Sequence, residues 1–251
     1  MMNNEVNISD CKAMIFAAGL GTRLKPFTDK HPKALAIVNG KTLLERNLLY
    51  LKRFGIRNFV INTHHFAEQI NSFFSEHDYS DIQISISHEA DGPYETGGGL
   101  SFASHLLKSS GLPFFVMNVD MLTDLNIKQM FDFHQEIKPL ATLAVTKRSS
   151  SRQLLFNDAM RLVGWKNNNT GEIRWVAGEV LDVIPFSFSG IHIIEPSIFK
   201  LMPSEGTFSI IDTYLKAAST ELIVGYDHSG DRIIDVGKPE SIIQAEEIFR
   251  D

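Results

Sequence analysis

Two aspartates and one glycine-rich loop are the residues best placed for chemistry. Asp120 follows the apolar run FFVMNV and Asp235 follows RII, so each carboxylate comes at the end of a short strand-like segment. A carboxylate set there sits on a rigid element at the ligand-binding edge of a sheet, where it can hold Mg2+ bound to phosphates. A single aspartate in such a place is more often a turn or cap residue, but the pair would complete a two-carboxylate metal site. Asp124, in MLTDLN, reads instead as a helix N-cap.

The loop is CKAMIFAAGLGTRLKPFTDKHPKALA, residues 11–36. Its apolar start, Ala13 to Ala18, reads as a buried parallel strand. Gly19 and Gly21 lack the Cβ atoms that would keep a ligand off the backbone, which makes the turn a candidate anion nest. Arg23, Lys25 and Lys33 place three cations beside it, and Pro26 and Pro32 fix the path of the chain. Leu24 stands where a dinucleotide fingerprint needs its third glycine, and the spacing of a Walker A loop is missing. A second glycine run, Glu95 to Gly99 (ETGGG), implies close approach of backbone either to another segment of the chain or to a nucleotide. Its place before a helix N-terminus favours the nucleotide.

These groups need elements to carry them. Lys41 to Phe54 has a helical period ending at Gly55, Asn58 to Asn62 reads as a strand, and His65 to Glu76 as a helix. Ile82 to Ser87 alternates as a strand, Gly99 to Leu107 looks helical, and Phe114 to Asn118 is a fully apolar strand. Such alternation predicts an α/β fold with a mixed, mainly parallel sheet, helices on both faces, and a ligand at the carboxyl ends of the strands. Farther on, Asn126 to Ile137 reads as a helix and Ala141 to Thr146 as a strand, while 149–182 is expected to be a hairpin-rich lid. Ile184 to Ile194 contains a strand, and Glu195 to Met202 starts a helix. Ser209 and Asp212 have capping-box spacing at the head of another helix. Strands at 222–226 and 232–236 and a closing helix from Pro239 to Arg250 complete the chain. Of the adjacent His64 and His65, one is expected to be a hydrogen-bonded strand-end residue and the other a helix cap. Trp165 and Trp175 either line a sugar pocket or pack the hairpin.

The 251 residues fit one α/β domain. A formal charge of −6 argues against a nucleic-acid partner, which needs an excess of cations. Residues 1–10 form a polar tail without a signal-peptide core, and no stretch is long enough for a membrane span, so the expectation is a cytoplasmic protein. The single cysteine, Cys11, excludes an internal disulfide. Its expected role is packing beside the first strand.

The string AAGLGTRLKPFTDKHPKAL resembles the signature of the sugar-1-phosphate nucleotidylyltransferases. ETGGG, together with NTHHFAEQI and FSFSGIHIIEP, resembles the N-acetylmuramate 1-phosphate uridylyltransferases in particular, and the likeness runs from Lys12 to Phe249. The resemblance implies a single-domain, Rossmann-like fold of the nucleotide-diphospho-sugar transferase type. It implies transfer of uridylyl from UTP to N-acetylmuramate 1-phosphate, with Mg2+ as cofactor and pyrophosphate as the second product. By the same resemblance Ala17, Ala18, Gly19, Gly21 and Thr22 line the nucleotide, as do Glu95, Thr96 and Gly97. Arg23 holds the triphosphate, Lys33 contacts the reacting phosphates, Asp120 and Asp235 hold the metal, and Asn118 and Gly190 meet the sugar. The attacking phosphate is already an oxyanion, so the reaction needs alignment and charge neutralisation rather than a protein nucleophile or base.

Related mannose and heptose guanylyltransferases share the first loop, and their glycine segment commonly reads G-T-[AG]-G, so Glu95 tilts the expectation to uridylyl transfer. His88 stands where the family pattern has aspartate. Many family members place a sugar-contacting Glu-Lys pair in the middle region, for which Glu179 and Lys166 are only nearby candidates and are not assigned. A non-catalytic regulator of the same superfamily would lack the motif lysine and carboxylates, which are present here. No hexapeptide repeat indicates a fused acetyltransferase domain.

Overall fold

The computed structural model describes residues 6–250. Half of the expected polar tail, 1–5, lies outside them, and Ile8–Asp10 form a 3-10 turn capped by Asn7. The strands are β1 (Lys12–Phe16), β2 (Ile37–Val38), β3 (Lys41–Thr42), β4 (Asn58–Thr63), β5 (Gln83–His88), β6 (Phe114–Asn118), β7 (Met121–Thr123), β8 (Ala141–Thr146), β9 (Arg152–Phe156), β10 (Leu162–Asn167), β11 (Ile173–Trp175), β12 (Ile184–Ile194), β13 (Ile223–Asp227) and β14 (Ile233–Asp235). The helices are α1 (Leu43–Arg53), α2 (Ala67–Glu76), α3 (Glu95–Phe102), α4 (Ser104–Leu107), α5 (Ile127–Ile137), α6 (Ile210–Ala217) and α7 (Pro239–Ile248).

The central sheet runs β12-β6-β1-β4-β5, with β6, β1, β4 and β5 mutually parallel. After β1 the chain crosses over α1 to β4 and α2 to β5 on one side, then returns past β1 to lay β6 on the other. The order therefore reverses between β1 and β6, and open α/β sheets place their ligand crevice at such a switch point.

Strand periodicity builds a core on each face of this sheet. Ala13, Ile15, Phe115 and Met117 join α1, α2 and α5 on one face. Met14, Phe114 and Val116 join α6 and the start of β12 on the other. α1 starts where Thr42 accepts a hydrogen bond from the Glu45 amide and stops at Gly55, whose φ is +94°. Cys11 is fully buried against this core, and burial pushes its thiol up to about 12.

The second half is less parallel than the first. β12 lies antiparallel to β6, β8 and β9, and β10 and β11 extend β9 as an antiparallel meander. The hairpins expected in 149–182 are thus a continuation of the main sheet. Both tryptophans lie in it, with the Arg174 guanidinium 5.6 Å from the Trp165 ring. Glu195 to Met202 is only a 3-10 turn, Pro196–Lys200. Ser209 caps α6 through the Ile211 amide, and the Asp212 carboxylate pairs with Arg174 at 2.7 Å, so no capping box forms. Asn126, not Asp124, caps α5; Asp124 instead binds Arg232 at 2.6 Å. His64 binds the Glu89 carbonyl at 2.6 Å as a strand-end residue, but His65 makes no cap, because Phe66 takes that position with φ of +56°. Among the described residues no helix is long and apolar enough to cross a membrane.

His192 in β12 is buried, hydrogen-bonded to the Tyr214 hydroxyl, and burial pushes its pKa down to about 3. The unfolded chain takes up a proton near 6.5 that the folded one refuses. This ring's contribution is therefore intact above pH 6.5 and drains away as the pH falls from there towards 3. The slope is at most about 1.4 kcal/mol per pH unit. Urea unfolding should show a clearly lower midpoint at pH 5 than at pH 7; equal midpoints would contradict the buried neutral ring.

Candidate active site

The carboxyl ends of β1, β4, β5 and β6 surround a cavity of about 280 Å3. Its wall includes residues 16–19 and 21–23, Lys33, Asn62, Glu89, Glu95, Thr96, Asn118, Asp120 and Gly237. The loop after β1 leaves the sheet through an Ala17 amide bonded to the Asn62 carbonyl at 3.0 Å. It turns at Gly21, where φ is +61° and an added Cβ would lie 2.7 Å from Thr28 Cγ2. The Thr28 hydroxyl donates to the Gly21 carbonyl at 2.9 Å and fixes the turn. Only glycine suits that combination of left-handed backbone and close approach.

Asp120 follows β6 by two residues, and a short ladder brings Asp235 to it. β7 and β14 pair antiparallel with Met121 opposite Asp235, and the Val236 amide donates to the Asp120 carbonyl at 2.8 Å. Main-chain bonds thus hold two carboxylates, far apart in sequence, side by side. The Lys33 ammonium is ion-paired with Asp120, and both side chains are largely buried. Arg23 reaches Asp235 at 3.5 Å from a more exposed position. Lys25 does not join them: it pairs with Asp29 at 2.9 Å one helical turn away, in solvent. The other Asp235 oxygen, Oδ1, is buried and makes no hydrogen bond.

The glycine run has a different partner from the one expected. ETGGG is not a loop before a helix but the first turn of α3 itself. A Cβ on Gly97 would lie 2.4 Å from the Phe208 ring, one on Gly98 would lie 2.2 Å from the Gly206 carbonyl, and one on Gly99 would lie 2.5 Å from Glu89. The Gly97 and Gly98 amides both donate to the Phe208 carbonyl. Gly97 is therefore closed off from the cavity, and the helix N-terminus is capped by the chain rather than open to an anion. Glu95 and Thr96 do line the cavity, Glu95 with φ of +58°, which is uncommon outside glycine. Gly190, with φ of +68°, lies against the Asn118 amide, so these two residues are brought together.

Glu89, a residue of the cavity wall, went unremarked in the sequence, and so did Arg148, which lies outside that wall in a neighbouring pocket. Glu89 is almost fully buried at the end of β5, accepting from Asn62 and, at 2.8 Å, from the Tyr94 amide. It brings a carboxylate to the cavity wall on the side of Glu95. Arg148 follows β8 by two residues, and its pKa is lowered by burial while Asp235 and Asp120 raise it. Both positions obey the rule that singled out Asp120: a polar residue just past the carboxyl end of an apolar strand. Glu179 is exposed, and neither it nor Lys166 lines this cavity.

The nucleotidyl transferase family model matches residues 12–154, which span the loop, Lys33, the glycine run and Asp120. The chain belongs to the nucleotidyl transferase family. Among curated members it is 28% identical to the N-acetylmuramate alpha-1-phosphate uridylyltransferase of Caulobacter vibrioides over 93% of this chain and 95% of that one. It is 27% identical to the mannose-1-phosphate guanyltransferase of Hypocrea jecorina over 92% of its own length, and spans 62% of that protein. The fold is shared with the solved HddC of Yersinia pseudotuberculosis complexed with GMP-PN, at a TM-score of 0.74, 21% identity and coverage of 94% and 98%. This nucleotidyl transferase thus has the nucleotide-diphospho-sugar transferase fold and is an enzyme of that class.

Proposed function

We propose that this nucleotidyl transferase moves a uridylyl group from UTP to N-acetylmuramate 1-phosphate, releasing pyrophosphate, with Mg2+ as cofactor and in the cytoplasm. The observation that carries the reading is the convergence of a glycine-turned loop and Asp120 on one cavity at the β1/β6 switch point, with Asp235 aligned beside Asp120 by the β7–β14 ladder. The similarity to the Caulobacter uridylyltransferase, which extends over nearly the whole of both chains, supports the choice of substrates.

The donor set fits Mg2+. Asp120 and Asp235 offer hard oxygen ligands, and the buried, unpartnered Oδ1 of Asp235 is an acceptor waiting for a cation or donor. Among the described residues no larger cluster of metal-ligating side chains occurs, which leaves further coordination positions to phosphate oxygens and water. Held there, Mg2+ would draw charge from the phosphates and fix their orientation.

The chain's own residues then divide the work. Ala17, Ala18, Gly19, Gly21 and Thr22 present backbone to the nucleotide, and Glu95, Thr96 and the Glu89 carboxylate flank its base. Arg23 and Lys33 exchange their carboxylate partners for phosphate oxygens as substrate enters, Lys33 at the reacting phosphorus. Asn118 and Gly190 border the sugar. Nothing on the protein needs to gain or lose a proton.

A second reading, guanylyl transfer to mannose 1-phosphate or a heptose phosphate, is favoured by relatives such as the Hypocrea guanyltransferase, whose similarity also spans 92% of this chain. Pyrophosphate release from four nucleoside triphosphates against a panel of sugar 1-phosphates separates the two. UTP with N-acetylmuramate 1-phosphate should give the highest kcat/KM. A clear preference for GTP with mannose 1-phosphate would establish the second reading, and no turnover with any pair would point to a sugar-nucleotide-binding regulator.

A further inference from the structure

β12 breaks its pairing with β8 beside the candidate site. Phe188 lies opposite Val145 and His192 opposite Leu143, so residues 189–191 of β12 stand against the single residue 144 of β8. The extra residues form a bulge, a device that re-aims a strand next to a site. On the other side of β12, Ile191 pairs with Met117, which brings Gly190 level with Asn118. A Cβ on Gly190 would lie 2.7 Å from Asn118 Nδ2 and 3.1 Å from Met121 Cγ, so the bulge packs against both flanks of Asp120. Asn118 lines the cavity, and its side-chain amide makes no hydrogen bond among the described residues.

The bulge is held from behind. The Ser189 hydroxyl and His228 Nε2 are 2.8 Å apart, and both residues are buried. His228 follows β13 and is itself fixed, its amide donating to the Val145 carbonyl at 3.0 Å and its carbonyl accepting from the Asp231 amide at 2.9 Å. The Asp231 carboxylate lies 3.5 Å from Nδ1. That charge favours the ring proton on Nδ1 and leaves Nε2 to accept from Ser189. Serine, histidine and aspartate connected in this order are the parts of a nucleophilic triad. Ser189 is fully buried, however, so no reacting atom can come to its oxygen. What the bond does is tie the bulge of β12 to the end of β13, across β8.

We propose that His228 is a positioning residue for the acceptor: through Ser189 it holds the Gly190 bulge against Asn118, whose uncommitted amide meets the hydroxyl groups of the sugar 1-phosphate. The assignment rests on the sugar-phosphate reading above. Neither Ser189 nor His228 lines the cavity, so both act through the bulge. The nucleotide loop follows β1, which lies on the other side of β6 from β12. Loss of the bond is therefore felt by the acceptor rather than by the nucleotide.

Steady-state kinetics of S189A, H228A, H228Q and the S189A/H228A double variant, with each substrate varied in turn, test this together with calorimetric titration of UTP and Mg2+. S189A and H228A should each raise KM for the sugar 1-phosphate roughly three- to tenfold while the UTP dissociation constant stays within about twofold of wild type. The double variant should be no worse than H228A, because the two side chains act as one unit. H228Q, whose amide can still reach the Ser189 hydroxyl, should recover part of the loss. S189A removes one oxygen and spares every main-chain bond, so it decides the matter even if H228A fails to fold. An unchanged sugar 1-phosphate KM in S189A would overturn the assignment. So would an equal weakening of UTP binding, which would mean that the bond merely stabilises the sheet, or additive losses in the double variant. A wild-type chain inactive on every sugar 1-phosphate would overturn the functional reading and this assignment with it. Normal wild-type turnover with an unshifted S189A overturns the assignment alone.

Discussion

Asp120→Asn should fold and yet turn over about a thousandfold or more slowly, the scale of the several kcal/mol that a metal supplies to a phosphoryl transition state. The substitution keeps the shape of the side chain and spares the main-chain bond from the Val236 amide to the Asp120 carbonyl. Asparagine still offers Lys33 an acceptor, but not a charge. The stability lost is that of one partly buried charged hydrogen bond, about 1–3 kcal/mol. What disappears is one of two anionic oxygen ligands, at the point where phosphate charge must be offset. Far-ultraviolet circular dichroism with pyrophosphate release separates the two effects. Near-wild-type turnover from a folded Asp120→Asn protein would remove Asp120 from the site.

Lys33→Ala should lower kcat on the order of a hundred- to a thousandfold, the loss associated with one preorganised donor at a developing charge. Lys33 is largely buried on the 3-10 turn Lys33–Leu35, which Pro32 helps to fix. The ammonium is therefore held near the cavity at little entropic expense when substrate binds. Removing it leaves Asp120 without its counter-charge, but that carboxylate is partly open to the cavity and water can solvate it. The fold should survive, and UTP affinity should fall less than kcat because the contact is strongest in the transition state. A loss confined to KM would instead assign Lys33 to ground-state binding.

The parts of this protein most legible in its sequence are those where local chemistry has a single solution. Gly21 occupies a left-handed turn packed on Thr28, and the strands β1, β4 and β6 are apolar on both faces because helices cover both. Asp120 and Asp235 could be singled out because each ends such a strand. The same logic applied to the end of β5 and β8 would have found Glu89 and Arg148. Both were hidden by their neighbours, Glu89 by the polar turn that follows it and Arg148 by an adjoining lysine and a run of serines.

The glycine run shows where local reasoning stops. Three glycines report that something comes close, but their sequence does not say what. Here the visitor is the 206–208 backbone with Phe208, more than a hundred residues along the chain. The antiparallel share of the sheet was similarly understated, because strands of 149–194 read one at a time do not reveal that β12 joins β6, β8 and β9. Lys25 was overvalued for its nearness in sequence; an aspartate four residues on holds it in solvent.

In the proposed reaction Asp120 and Asp235, aligned by the β7–β14 ladder, hold the divalent cation on the triphosphate. A crystal grown with UTP and Mn2+ in place of Mg2+ tests it through the anomalous signal of the metal. One strong peak is expected within coordination distance, about 2.0–2.3 Å, of both carboxylates and of a phosphate oxygen. A peak bound by neither aspartate, with the triphosphate turned away from the loop after β1, would contradict it.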